Sequence, residues 1–276
     1  MRNQRTATPP HAMIALASRP TLSANHPSWH GNHMRLARIH RSAPDDEREL
    51  EPWLQRMVDF VHTETTPTTL PHVPGITLRL APESVPLWGR IEDELGPGPG
   101  PPYWAFAWAG GLALARHVMD HPELVAGRRV LDFASGCGLT AIAAAMSGAA
   151  HVLATDTDPL AVVALSLNAD ANGVTIQASA ADLLAETAFD PANIDVVLAG
   201  DAFYDPSIAD RVLAFLASCR AAGCEVLIGD PGRAHLPVAC LKRISAQEVP
   251  VTRGYEYVAA VPDYELHAAT VWRLVA

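Results

Sequence analysis

Long apolar runs are missing from this sequence. No stretch of about 18 such residues occurs, so no membrane-spanning helix is expected. Net positive charge is missing too. The chain sums to −10 at neutral pH, which argues against a nucleic-acid backbone as partner and suits a basic protein substrate. Lysine is almost missing: Lys242 is the only one against 19 arginines. With abundant alanine and proline, this reads as the codon bias of a GC-rich bacterial genome. Paired cysteines are lacking. Cys137, Cys219, Cys224 and Cys240 show no C-x-x-C spacing and read as free thiols of a reduced, cytoplasmic protein.

What is present is unevenly spread. Residues 1–43 hold six arginines and no acid, so residues 44–276, with fourteen basic and thirty acidic side chains, carry −16. The first 43 residues mix Pro, Ser, His and Arg without periodicity and are expected to be disordered. A transit peptide, or a spurious extension ahead of a start at Met34, are the alternatives. His30 and His33 fall in this aperiodic segment, and no metal site is expected. Residues 44–102 form a small N-terminal extension. Leu50, Trp53, Leu54, Met57, Val58 and Val61 recur at helical spacing across 45–64. Thr65 to Pro74 reads as a connection, and Ile76, Leu78 and Leu80 alternate as a short strand. GPGPGPP at 96–102 is neither helix nor central strand and reads as a loop able to move over a site.

The main domain, 103–276, is organised around VLDFASGCG at 130–138. Apolar residues run into Asp132, then a small-residue loop, then the helical run LTAIAAAMS. Glycines let backbone approach a ligand, and free N–H groups at a helix start favour an electron-rich partner. The stretch resembles the first motif of class I methyltransferases, D-x-G-x-G-x-G. In that family the acid lies close to the amino group of S-adenosylmethionine. Ala134 replaces the first glycine, which fits if its φ stays negative. Gly136, Gly138 and Ala141 also spell the dinucleotide fingerprint G-x-G-x-x-A, with Asp156 at the distance of a ribose-binding acid. The loop alone therefore admits a methyl donor, NAD, or a ligand-free turn.

Around this loop strands and helices alternate, as a doubly wound sheet requires. Strands are expected at 130–133, 151–155, 174–178, 195–200 and 225–230, with β-prone segments near 243–251 and 267–275. Helices are expected at 139–147, 159–172 and 206–221. A C-terminal antiparallel pair would complete seven strands, whereas a dinucleotide fold more often continues βαβ. Ligands of open α/β sheets bind at the carboxyl ends of the strands, and Asp132, Asp156, Asp182, Asp201 and Asp230 all fall there. Asp156 suits ribose hydroxyls and Asp182 the adenine amine. Ala134, Ser135, Gly136 and Gly138 cradle the donor, with Gly200 at the fourth strand end. Asp201, Phe203, Tyr204 and Asp205 face the transferred methyl, where Asp201 or Asp205 can orient an amine and help its proton leave. Upstream, YWAFAWAGG leads into the helix LALARHVMD. Gly110 and Gly111 open that helix, and Trp108 is expected to wall the donor pocket. A packed aromatic cluster is the other reading.

GDAFYD, read with PYWAFAWAGG, VLDFASGCGLTAIAAAMSGA, ATDTDPLA, LNADAN, VLIGDPGR and the terminal TVW, is similar to one family. It is that of the seven-strand lysine methyltransferases of the electron transfer flavoprotein β subunit. These stretches run in order from about residue 76 to 272. The resemblance implies a Rossmann-like α/β fold with a central seven-stranded, mostly parallel sheet. It implies S-adenosylmethionine as cofactor and lysine ε-amines of the flavoprotein subunit as acceptors. It also implies Asp201 to Asp205, with Tyr204, as the acidic motif. A same-fold enzyme acting on a ribosomal protein or a small nitrogen compound remains open, as does a nucleotide-binding module.

Overall fold

Residues 129–133 carry apolar side chains on both faces of a strand, a pattern that only a central, doubly covered strand satisfies. In the computed structural model, which describes residues 47–82, 84–96, 100–185, 189–252 and 264–275, they form β3 (Arg129–Phe133), an inner strand of a seven-stranded sheet. The expectations for residues 1–43, for His30 and His33, and for the middle of GPGPGPP lie outside the described residues. β3 pairs in parallel with β4 (His151–Thr155) on one side and β6 (Val196–Gly200) on the other. β5 (Gln177–Ser179) extends the first side and β7 (Glu225–Asp230) the second. β9 (Tyr264–Leu274) then runs antiparallel between β7 and β8 (Leu241–Thr252), giving the order β5-β4-β3-β6-β7-β9-β8. The antiparallel close sets aside a continuing βαβ dinucleotide pattern.

Strand order reverses between β3 and β6, so their carboxyl ends open a crevice, the place where such sheets bind ligands. Helices cover both faces. α3 (Ala109–Asp120), α4 (Leu139–Met146) and α5 (Pro159–Ala171) precede or follow the β3 and β4 strands, and α6 (Ala209–Ala221) links β6 to β7. One core cluster joins α3 and α4 to Val130, Leu198 and Leu227; the other joins α6 to Leu131, Val197 and Ile228. Neighbouring residues of one strand thus feed opposite cores, the alternation of a pleated strand. Among the described residues no helix is long and apolar enough to cross a membrane.

The N-terminal segment holds more structure than its sequence suggests. α1 (Glu47–Glu64) buries Leu50, Trp53, Leu54, Met57 and Val61 at the expected spacing. The supposed connection contains β1 (Thr66–Thr69), which pairs antiparallel with β2 (Thr77–Leu80). Pro67 disguises it, and Pro is tolerated because the strand has only one neighbour. α2 (Ser84–Leu95) was also unexpected; its buried Leu87 and Ile91, four apart, are the missed signal. Leu70, Val73, Ile76, Leu78 and Leu80 share the core of α3 and α4. The free edge of β2 is sealed by side chains: Thr77 N–H donates to Asn172 Oδ1 at 2.9 Å and Arg79 N–H to Asn168 Oδ1 at 2.7 Å. The strand expected at 174–178 forms at Gln177–Ser179, at the sheet edge, because only there does the chain face β4.

Candidate active site

The loop after β3 is built by two devices. Gly138 has φ of 84°, and a Cβ there would lie 2.9 Å from Leu165, so no other residue turns the chain into α4 so tightly. Ala134 has φ of 54°, against the expectation of a negative angle. The loop must fold back for Ser135 N–H to reach the Thr155 carbonyl at 2.9 Å. The exposed methyl of Ala134 has room, so the turn costs only the left-handed strain of about 1–2 kcal/mol.

Asp132 does not reach the crevice. It is fully buried behind the loop, accepting from Ser135 Oγ at 2.5 Å, Thr140 Oγ1 at 2.7 Å and Ala141 N at 3.1 Å. Burial pushes its carboxyl up to about 6, and those three donors pull the other way. Its place at the start of α4, where free N–H groups favour negative charge, makes it the clasp of the loop. The carboxylate expected beside a donor amine is thus turned onto the loop's own donors and does not line the cleft.

The crevice itself is a cleft of about 540 Å³, within the usual range for small-molecule sites. Ala134, Ser135, Gly136, Asp156, Asp182, Gly200, Asp201, Tyr204, Asp205 and Trp108 line it. Asp156 Oδ2 accepts from Gly136 N at 2.9 Å and Oδ1 from Asp158 N at 3.0 Å, which ties strand β4 to the glycine loop. Asp158 caps α5 through Leu160 N at 2.8 Å; burial, then the Asp156 charge, pushes it up to about 7. Asp182 accepts from Leu184 N at 3.0 Å. Behind the loop, buried Asn168 donates to the Cys137 carbonyl at 2.8 Å, so one side chain holds both the loop and the β2 edge. Burial raises the Cys137 thiol to about 12, which keeps it protonated.

Asp201 is more constrained than a freely presented carboxylate. Its φ is 55°, and its N–H donates to the Gly229 carbonyl at 2.8 Å. Oδ2 accepts from Gly111 N at 2.7 Å, at the start of α3, and Oδ1 from Arg233 Nη2 at 2.8 Å. Burial raises its carboxyl to about 6, and Arg233 and Gly111 oppose that shift. Tyr204 is 43% exposed, its ring centroid 5.0 Å from that of Tyr103. Burial raises its hydroxyl to about 12. Asp205 accepts from Ser207 N at 2.8 Å and starts the turn into α6; the Ser207 hydroxyl, then that N–H, hold its carboxyl below the usual range.

The helix-opening glycines divide their work. Gly111 lines the cleft, while Gly110 is pressed against the backbone of Gly229 and does not. Gly138 also lies under the cleft, packed on Leu165. Trp108 donates from Nε1 to the Tyr103 carbonyl at 2.9 Å, and Tyr103 and Phe106 meet it edge-on. Sequence reasoning missed Arg233, whose guanidinium carbon lies 6.0 Å from the Trp108 ring centroid. The signal was an arginine just past a strand-end acid, in GDPGR.

The ribosomal protein L11 methyltransferase family model matches residues 117–200. An electron transfer flavoprotein beta subunit lysine methyltransferase from Danio rerio is 39% identical over 205 residues, covering 72% of this chain and 76% of its own. The Xenopus laevis protein of the same name is 44% identical over 177 residues, covering 64% and 70%. Among solved structures, a T. thermophilus 16S rRNA methyltransferase in complex with AdoMet and guanosine aligns with a TM-score of 0.49 at 18% identity, covering 77% of this chain and 50% of that one.

Proposed function

The chain belongs to the electron transfer flavoprotein β subunit lysine methyltransferase family, and from that premise we propose that its cleft moves methyl groups from S-adenosylmethionine to lysine ε-amines of that flavoprotein subunit. The observation that carries this reading is the convergence on one cleft of Asp156, beside the glycine loop, with Asp201, Tyr204 and Trp108.

The residues present fit the donor. Each oxygen of Asp156 accepts one protein N–H, which leaves lone pairs for a ribose diol. Asp182 has an oxygen to spare for an exocyclic amine. The buried indole N–H of Trp104, on the cleft wall, has no partner in the protein and suits a ligand acceptor. Bound there, S-adenosylmethionine supplies a methyl group on a positively charged sulfur, open to in-line displacement.

The chain's own part is alignment in a site sheltered from water. A lysine arrives protonated at neutral pH and must shed that proton before its nitrogen attacks. Asp201, ionised above about 6, attracts and orients the ammonium, and water or the carboxylate takes the proton. The Tyr103 and Tyr204 rings offer apolar faces to the lysine methylenes. Asp205, bound into its own turn, contributes negative charge beside them. The L11 methyltransferase match ends at residue 200, one short of Asp201, so it bears on the donor side and leaves the acceptor to the wider family likeness. We assign the reaction to the cytoplasm, since four free thiols suit a reducing compartment.

The test is to incubate the protein with radiolabelled S-adenosylmethionine and the electron transfer flavoprotein β subunit of the same organism, with its lysate in parallel. Label on the flavoprotein subunit is the expected result. Label only on another lysate component would move the substrate within the same chemistry. No label, together with no calorimetric donor binding, would contradict the proposal.

A further inference from the structure

Asp201 belongs to a cluster that bridges two strand ends. Asp201 follows β6, Asp230 ends β7, and Arg233 lies three residues beyond Asp230. The Arg233 guanidinium donates from Nη2 to Asp201 Oδ1 at 2.8 Å. Its Nε stops 3.9 Å from Asp230 Oδ2, inside ion-pair range and outside hydrogen-bond range. Those two atoms, Arg233 Nε and Asp230 Oδ2, are both buried and both without a hydrogen-bond partner. The backbone beneath is pinned, because Asp230 Oδ1 accepts from the N–H groups of Gly232 and Arg233, each at 2.7 Å. Freedom is therefore confined to the Arg233 side chain, which is 27% exposed, lines the cleft and stands over Trp108.

The charges do not balance. Two carboxylates, at Asp201 and Asp230, face a single guanidinium, so the cluster is one cation short when both acids are ionised. Burial pushes both carboxyls upward, as an uncompensated pair requires. The unmet Nε shares an edge of the guanidinium with Nη2, the atom that donates to Asp201, and it faces the unmet Asp230 Oδ2 across 3.9 Å. A second cation at Asp201 would release the guanidinium toward the partner it has not reached.

Resting on the lysine methyltransferase reading, we propose that Arg233 is an internal stand-in for the substrate ammonium. It occupies Asp201 while no lysine is present, and it moves onto Asp230 Oδ2 when a lysine ε-ammonium takes its place. In the second arrangement Arg233 Nε and Asp230 Oδ2 gain the bond each lacks, and Asp201 keeps a cation. The exchange ends with a cation on each carboxylate, which favours it. Neutral and acidic side chains cannot displace the guanidinium, so the device selects for cations. An ammonium, compact and carried on a narrow stem, fits where the planar guanidinium leaves. Arg233 is then a positioning residue that sets acceptor specificity, and Asp230 its resting place.

The experiment measures binding of n-butylammonium, a mimic of the lysine end, by NMR titration of the full chain saturated with S-adenosylhomocysteine. That ligand lacks the sulfonium charge, so the cation added at the methyl-transfer position is the amine's alone. Arg233→Gln is expected to bind the amine roughly tenfold more tightly than the native protein, the factor of one removed charge-assisted competitor. Asp230→Asn removes the resting place and is expected to bind it several-fold more weakly. Opposite signs are the signature, since a merely damaged site would weaken in both variants. Arg233→Gln binding no better than the native protein overturns the inference. So does an unchanged Asp230→Asn, which decides the matter alone if Arg233→Gln does not fold. Failure of all three proteins to bind S-adenosylhomocysteine would instead overturn the methyltransferase reading and this inference with it.

Discussion

Gly110 and Gly229 meet backbone to backbone where α3 crosses β7: a Cβ on Gly110 would lie 2.2 Å from the Gly229 carbonyl oxygen, and one on Gly229 2.1 Å from that of Gly110. No side chain intervenes, so the start of α3 comes close enough for Gly111 N–H to reach Asp201. Gly229→Ala or Gly110→Ala must therefore push helix and sheet apart. Either is expected to cost about 3 kcal/mol, the upper range for overpacking. Gly89→Ala in the exposed part of α2, with nothing within 4 Å, is expected to gain about 0.5–1 kcal/mol. Urea unfolding of the three variants checks both signs.

Asn168 joins the N-terminal hairpin to the glycine loop with its two amide atoms. Asn168→Ala leaves the Arg79 N–H and the Cys137 carbonyl without those partners, a loss of about 3 kcal/mol if neither finds water. Asn168→Asp is expected to be worse, because a buried carboxylate would face the Cys137 carbonyl. Denaturation midpoints, with donor affinity as a second readout, test this link.

Asp156 is assigned the ribose of the donor. Asp156→Ala is expected to weaken S-adenosylhomocysteine binding by about ten- to a hundredfold, the range of one or two hydrogen bonds to a charged group. Calorimetric affinity unchanged from the native protein would show that the donor lies elsewhere.

Stability should rise as the solution is made mildly acidic. Asp132 and Asp201 titrate near 6 and Asp158 near 7 in the folded chain, all raised by burial. Between those values and the ordinary carboxylate range the folded state binds protons that the unfolded chain has released. Stability is thus lost as pH rises through about 6 to 7 and regained as it falls. Asp195, held down to about 2 by the Arg129 side chain, contributes in the opposite sense, and its share is lost only in strong acid. Asp158→Asn keeps a good helix cap. Melting curves should show it more stable than the native protein at about pH 8, with the gap narrowing as pH falls and closing only at about pH 4.

The inner sheet was legible because each central strand is a short apolar run ending in an acid, and burial on both faces leaves little ambiguity. The edges were not. Thr66–Thr69 hides behind Pro67, and β5 keeps only two residues of its expected five, and gains Ser179, because one neighbour supports it. Most of the acidic and loop residues expected at the cleft line it, since carboxyl ends of parallel strands share one rim. Asp132, Gly110, Gly138, Phe203 and Asp230 do not, because sequence position gives the strand end or helix start and not the direction of the side chain. The pairing of Arg233, despite the GDPGR signal, was hidden for another reason: its partner Asp201 is 32 residues away, and Gly111 reaches the same carboxylate from 90 residues away. Such convergence is a property of the fold.

The measurement closest to the central claim is tandem mass spectrometry of the electron transfer flavoprotein β subunit after incubation with this protein and S-adenosylmethionine, alongside an Asp201→Asn control. The account predicts whole methyl increments on lysine ε-nitrogens with the native protein and their loss, with donor binding retained, in the control. Methyl groups on another residue type, or an unmodified subunit in the presence of a donor-loaded enzyme, would contradict it.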